Sequence, residues 1–401
     1  MIEIIDKKDC CGCGGCFQKC PVHCITMQAD KEGFLYPKVD KSRCIDCKAC
    51  ERTCPILNKK EQKSMGKIYG LANKDFVIRK NSASGGSFSL LAYYVLAHDG
   101  IVYGAAYDSD MRVNIVGIEN ITQLPKVIGS KYVQSNTGTV FEEVKAHLRK
   151  GRLVLYSGTP CQIGGLINFL GKKFENLITF DFACHGVPSP KVFKKYIESM
   201  EKKYNKKIID YKFRTKEHGY DEKSCDYARI DFEDGKKIYA CETGIEEMFM
   251  TKAFFSEISS RPSCAKCVFK GLSHISDFTA FDCWHTKQLC PDLNDNKGVT
   301  SLIINTEKGN ILFEKVKGNS FFRELNLQKA IYLDGISLLH SIDQNLNREK
   351  FFIDLDKKDI GNLYNLYIKE KGFKIVKNKI KKVLSAIGIL TFLRDLKYKV
   401  K

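Results

Sequence analysis

Two cysteine runs constrain the chain more than any other feature. The first, inside the stretch CCGCGGCFQKCPVHC, is Cys10-x2-Cys13-x2-Cys16-x3-Cys20-Pro21. The second is Cys44-x2-Cys47-x2-Cys50-x3-Cys54-Pro55, the same spacing repeated 34 residues later. This is the run that holds paired 4Fe–4S clusters, in which three cysteines of one copy share a cubane with the fourth of the other. By that crossed rule, Cys10, Cys13, Cys16 and Cys54 hold one cluster, and Cys44, Cys47, Cys50 and Cys20 the second. Glycines at Gly12, Gly14 and Gly15 let the backbone approach closely, and the proline after each fourth cysteine stops the next turn from folding back over the site. A zinc knuckle fits poorly, because an x2-x2-x3 run crowds four thiolates around one tetrahedral ion. Cys11 and Cys24 are left over and read as small buried fillers.

A disulfide framework is excluded on size. The chain has 401 residues, 43% of them hydrophobic, and 18 cysteines, enough for two or three packed domains. It begins MIEIIDKKDC, without an apolar leader. The expected setting is a reducing, cytoplasmic one.

After a polar, lysine-rich stretch at residues 57–66, strand and helix patterns alternate. KIYGLAN, GIVYGAAYD, RLVLYSG and NLITFDFAC read as strands. SGGSFSLLAYYVLAHDG, TGTVFEEVKAHLRKG, QIGGLINFLG and PKVFKKYIESMEKKYN read as helices. YARIDFEDGKKIYACE reads as a hairpin with an Asp234-Gly235 turn. The expected fold is α+β or α/β: a bacterial-type dicluster ferredoxin domain at 1–60, a mixed-sheet body in two parts (67–150 and 151–320), and a helical, basic extension at 321–401. Cys161 follows a strand and opens a helix, and Cys184-His185 follows the next strand. The strand ends of open α/β sheets are where ligands bind. RPSCAKC adds Cys264 and Cys267.

In this order, the motifs SASGGSFS, GSKYVQS, SGTPCQIGGL, CHGVPSP, RPSCAKC, SDFTAFDCW and NKGVTSLIINTEKG resemble the coenzyme F420 hydrogenase/dehydrogenase beta-subunit family. That family includes iron–sulfur flavoprotein reductases acting on chlorophyll pigments. The resemblance runs from about Cys10 to Gly309. It implies an FAD-dependent oxidoreductase that passes electrons between 4Fe–4S clusters and an organic or deazaflavin substrate, with a ferredoxin or another redox protein as partner. The alternative is an electron-transfer subunit of a larger complex. By motif, Ser84, Gly85, Gly86, Ser130, Lys131, Tyr132, Gly158, Thr159 and Gln162 are implied flavin contacts. Cys161, Cys184, Cys264 and Cys267 are expected to hold a third cluster, since some relatives carry one in the flavin domain. In the competing reading Cys161 or Cys184 is a catalytic thiol and His185 a proton donor. The chain departs from the family at SDFTAFDCWH: Phe281 and His285 stand where many members have glycine, and Cys283 replaces a phenylalanine. That counts against the deazaflavin as substrate.

The formal net charge is +18, but no zinc-finger, RNP or helix-turn-helix pattern accompanies it, which argues against nucleic acid. Much of the excess lies after residue 368. There Val376, Ile380, Val383, Ile387 and Leu390 mark one helix face flanked by lysines, so the expected contact is peripheral, with a membrane surface or a protein.

Overall fold

The computed structural model describes residues 1–60, 66–220, 228–240, 244 and 246–369. The helix expected in the basic C-terminal segment, and Cys225 and Cys241, lie outside the described residues.

The cysteine repeat becomes a structural repeat. Each run ends in a single helical turn, α1 (Gly15–Lys19) and α2 (Ala49–Thr53), entered through a left-handed residue: Gly14 at φ 74° and Lys48 at φ 56°. Each turn stops at the fourth cysteine, Cys20 or Cys54, which is extended. Between the turns, β1 (Ile25–Ala29) and β2 (Leu35–Val39) form an antiparallel hairpin with Ile25 opposite Val39.

The body is built on one eight-stranded sheet. Its strands are β3 (Lys67–Asn73), β4 (Ile101–Tyr107), β5 (Val113–Ile118), β6 (Val154–Ser157) and β7 (Leu177–Phe182), then β11 (Phe278–Asp282), β12 (Thr300–Ile304) and β13 (Ser320–Glu324). The order is β13-β3-β12-β11-β7-β6-β4-β5, and β11, β7, β6 and β4 run parallel. Side chains alternate across the sheet. Leu155 goes to one face with Leu91 and Val95 of α3 (Ser87–Ala97). Val154 and Tyr156 go to the other with Phe141 and Val144 of α4 (Val140–Arg149) and Ile163 and Leu166 of α5 (Pro160–Leu170). Helices on both faces are what a buried parallel core requires.

A second, three-stranded sheet holds β8 (Ile208–Lys212), β9 (Arg229–Phe232) and β10 (Lys237–Tyr239). It packs against α6 (Pro190–Tyr204), which starts at Ser189, whose hydroxyl accepts from the amides of Lys191 and Val192, and ends at Asn205 in the left-handed region.

Three expectations change here. The Asp234-Gly235 hairpin forms, but in the second sheet, so the mixed character of the main sheet comes from β3, β5, β12 and β13. Strands from 67–150 and 151–320 interleave in that one sheet, so the two parts share a core. The expected boundary at 320 cuts into β13, which pairs with β3. Among the described residues no helix is long and apolar enough to cross a membrane.

The head sits on the body through buried polar contacts. Arg261, 1% exposed, donates to the Cys10 carbonyl at 2.7 Å, the Leu35 carbonyl at 3.0 Å and Gln134 Oε1 at 2.9 Å. Its guanidinium also lies 4.3 Å from the Tyr36 ring centre. Gln134 returns a bond to the Cys11 carbonyl, and Thr137 one to that of Cys13. Glu32 and Arg348 form a buried bidentate pair at 3.0 and 2.7 Å. Removing one partner of such a pair strands the other charge. Arg348→Ala should therefore lower the unfolding free energy by about 3–5 kcal/mol, measured by denaturant titration, and Glu32→Leu with Arg348→Met should recover most of it. A single-variant loss under about 1 kcal/mol would match a solvated surface pair instead.

Candidate redox site

Because β6, β7 and β11 are parallel, their carboxyl ends lie on one edge of the sheet. β6 runs into Gly158-Thr159-Pro160-Cys161, β7 into Ala183-Cys184-His185, and β11 into Cys283-Trp284-His285. β3 also ends on this edge and is followed, after the short helix Phe76–Asn81, by the segment 82–86 that opens α3.

The cysteines gather into three groups. Cys20, Cys44, Cys47 and Cys50 line one small cavity in the head, the crossed arrangement expected from the repeat, and Cys24 joins them with its sulfur 3.4 Å from that of Cys20. In the other half of the head, burial followed by the nearby Cys10, Cys54 and Cys50 pushes the Cys16 thiol up to about 12. Cys13 turns its sulfur toward α5, where a Cβ on Gly165 would meet it at 2.8 Å.

The third group is Cys161, Cys184, Cys264 and Cys267, which line one cavity together with Cys11. These thiols resist ionisation. Burial and then Cys161 and Cys267 push Cys264 up to about 12, and burial followed by Cys264 and Cys161 pushes Cys184 well above the ordinary thiol range. Packed thiols of this kind become thiolates when a cationic centre offsets their mutual repulsion. Two cations stand close. Lys270 Nζ donates to the Cys184 carbonyl at 2.6 Å, and Arg261 lines the cavity. Among the described residues no three Cys, His, Asp or Glu side chains converge closely enough for a single metal ion; the thiols stand around cavities. Cys11 and Cys24 are buried as expected, but each belongs to the wall of a cysteine site.

Across the same wall lies a cavity of about 1140 Å³, above the usual ~300–1000 Å³ of small-molecule sites. Ser84, Gly86, Ser130, Lys131, Tyr132, Gly158, Thr159 and Gln162 line it, as do Cys161, Cys184 and His185. Gly86 enters α3 at φ 86° without a side-chain cap, and the first turn of this 11-residue helix, Ser87, Phe88 and Ser89, lines the cavity with it, a position suited to a phosphate. Gln162 caps α5, its Oε1 accepting from the Thr159 amide at 3.0 Å. Burial lowers the Lys131 ammonium to about 8, and its Nζ donates to the carbonyls of Lys126 and Ile128. His185 Nε2 lies 3.2 Å from Glu257 Oε1, out of hydrogen-bonding alignment. Burial and then Lys270 lower its affinity for a proton.

Arg214, Tyr220 and Asp334, which lie outside the sequence motifs, hold Asp282, Trp284 and His285 of the SDFTAFDCWH segment in place. Arg214 grips Asp282 at 2.8 and 3.2 Å, Tyr220 donates to Asp282 at 2.5 Å, and Trp284 stacks on Tyr220 with ring centres 4.7 Å apart. His285 Nδ1 is 2.6 Å from Oδ1 of the buried Asp334. Phe281, Trp284 and His285 all line the cavity, so the departure from the family's glycines does fill this part of the wall.

Gly85 is set apart from the other expected contacts. Its amide donates to Thr300 Oγ1 and its carbonyl accepts from Asn73. A Cβ there would lie 2.0 Å from the Leu71 carbonyl oxygen. Gly85→Ala should therefore destabilise the fold by about 1–3 kcal/mol through overpacking, read from the thermal or denaturant midpoint. An unchanged midpoint would mean that the loop yields freely.

Residues 151–329 match the family model for the C terminus of the coenzyme F420 hydrogenase/dehydrogenase beta subunit. Residues 9–57 match that of the 4Fe-4S dicluster domain. No curated protein matches the chain. Among solved structures, a chain from the F420-reducing nickel–iron hydrogenase complex of Methanosarcina barkeri is similar at 17% identity and a TM-score of 0.43, covering 74% of this chain and 91% of that one. The chain thus carries a 4Fe-4S dicluster domain at 9–57 and, at 151–329, a region that matches the C terminus of the coenzyme F420 hydrogenase/dehydrogenase beta subunit.

Proposed function

We propose that the chain is an FAD-dependent oxidoreductase that exchanges electrons with a redox partner protein through three 4Fe–4S clusters and acts on an organic substrate or deazaflavin-type coenzyme. One observation carries this reading: Cys161, Cys184 and His185 stand in the wall shared by the third cysteine cavity and the large cavity. A bound flavin supplies hydride exchange on one side and single-electron exchange on the other.

The remaining roles fall to this chain's residues. Cys10, Cys13, Cys16 and Cys54, then Cys44, Cys47, Cys50 and Cys20, are the proposed ligands in the head, and Cys161, Cys184, Cys264 and Cys267 those in the body. Ser84, Gly86, Ser130, Lys131, Tyr132, Gly158, Thr159 and Gln162 would hold FAD. Cys11 lines the third cavity, and its thiol lies against those of Cys13 in the head and Cys161 in the body. His185 holds or moves a proton at Nε2, and its depressed pKa keeps the ring neutral at neutral pH. His285, oriented by Asp334, is the second imidazole on the wall.

Anaerobically purified protein should hold about twelve irons per chain and release FAD on denaturation. Cys264→Ser with Cys267→Ser should remove about four of those irons and spare the head. Wild-type protein with about eight irons would restrict the clusters to the head, and protein without flavin would remove the flavoenzyme reading.

A further inference from the structure

On the outer side of the head a groove of about 400 Å³ opens between α1 and α4. Lys19, Lys145 and Arg149 line it, and Cys20 and His23 stand at its head end. Lys19 and Lys145 set their ammonium groups over the same ring, that of Phe169, at 5.1 and 5.5 Å. Lys145 and Arg149 are four apart and share the open face of α4, whose opposite face is buried through Val140, Phe141, Val144 and Leu148.

These cations repel one another. Lys19 Nζ is held in the groove by the Phe169 carbonyl, to which it donates at 2.7 Å. Glu142 is the one carboxylate in the lining, and among the described residues no ion pair ties it to these groups. A cluster of like charges without internal neutralisation suits a surface whose opposite charge arrives with a partner. Its position specifies which partner. The groove ends at Cys20, which we assign to the second head cluster, so whatever docks there sits beside a redox centre. A membrane would need a flat face, and a nucleic acid has no use for that neighbour.

We propose that this groove is the docking surface for an acidic one-electron carrier protein of the ferredoxin class. This rests on the reading above that the head carries clusters. In the docked complex one electron passes between carrier and head; one protein is oxidised by one electron, the other reduced by one, and no bond or proton moves.

The test uses full-length, iron-loaded chain and an acidic dicluster ferredoxin, with association followed by surface plasmon resonance at low and high ionic strength. Lys145→Glu with Arg149→Glu is compared with Lys202→Glu with Lys207→Glu, an equal charge change on exposed residues near the second sheet. At low salt the groove variant should associate about tenfold more slowly or worse and lose most of its salt dependence, the control staying within about twofold. Equal losses in the two variants would overturn the proposal, as would an equal loss for a short DNA duplex, which would mark the groove as a general polyanion site. Iron is measured before binding, so a head without iron would fail the cluster reading, and this inference with it, in a distinguishable way.

Discussion

The buried guanidinium of Arg261 is the contact on which the rest of the architecture depends. A full positive charge at 1% exposure must be compensated, because an isolated buried ion is far costlier than a hydrogen-bonded one. Its partners are the Cys10 and Leu35 carbonyls, Gln134, and the Cys10 sulfur at 3.6 Å. Carbonyls orient the group but do not neutralise it. A thiolate at Cys10 would, and the cluster proposed for Cys10 would supply one, since cluster ligands bind deprotonated. Arg261 thus links three things: the loop of the first cysteine run, the β2 strand of the head, and the segment that carries Cys264 and Cys267.

From that link the proposed path follows. The head is held so that Cys13 meets Gly165 and Cys11 lines the third cysteine cavity. Any side chain on Gly165 would push Cys13 away, so the pair of glycines in α5 sets how closely the head approaches. On the far side of that cavity, the parallel strands β6 and β7 deliver Cys161 and Cys184 to the edge of the large cavity. One sheet edge therefore serves two purposes, carrying a group of cysteine thiols on one side of its loops and a large cavity on the other.

Much of this is readable from local sequence. The repeated spacing foretells the crossed head, and strand and helix periodicity places β3, β4, β6, β7 and the four longer helices, because each has a clear apolar face or run. Other features are set by tertiary structure. The alternation pattern of 229–239 marks a hairpin but cannot say which sheet receives it. β13 is exposed at four of its five residues, so hydrophobic patterning does not reveal it. The grouping of Cys161 and Cys184 with Cys264 and Cys267 is a consequence of strand order, and the motif order merely suggests it. Arg261 and His285 fall inside RPSCAKC and SDFTAFDCWH, but the partners they find, the head carbonyls and Asp334, carry no signal, since they are recognisable only once the fold is assembled. Gly85 illustrates the opposite error. The motif marks it as a ligand contact, whereas packing against the β3 and β12 backbone requires it to be glycine.

The central claim is that Arg261 compensates a cluster held by Cys10, and an EPR-monitored redox titration of Arg261→Met beside wild type tests it most directly. Removing a buried cation and its contact to the ligating sulfur disfavours the added electron, so the reduction potential of one head cluster should fall while that of the other stays in place. If both head potentials are unchanged in a variant that retains its full iron content, Arg261 is a packing residue alone and the account of how head and body are joined is wrong.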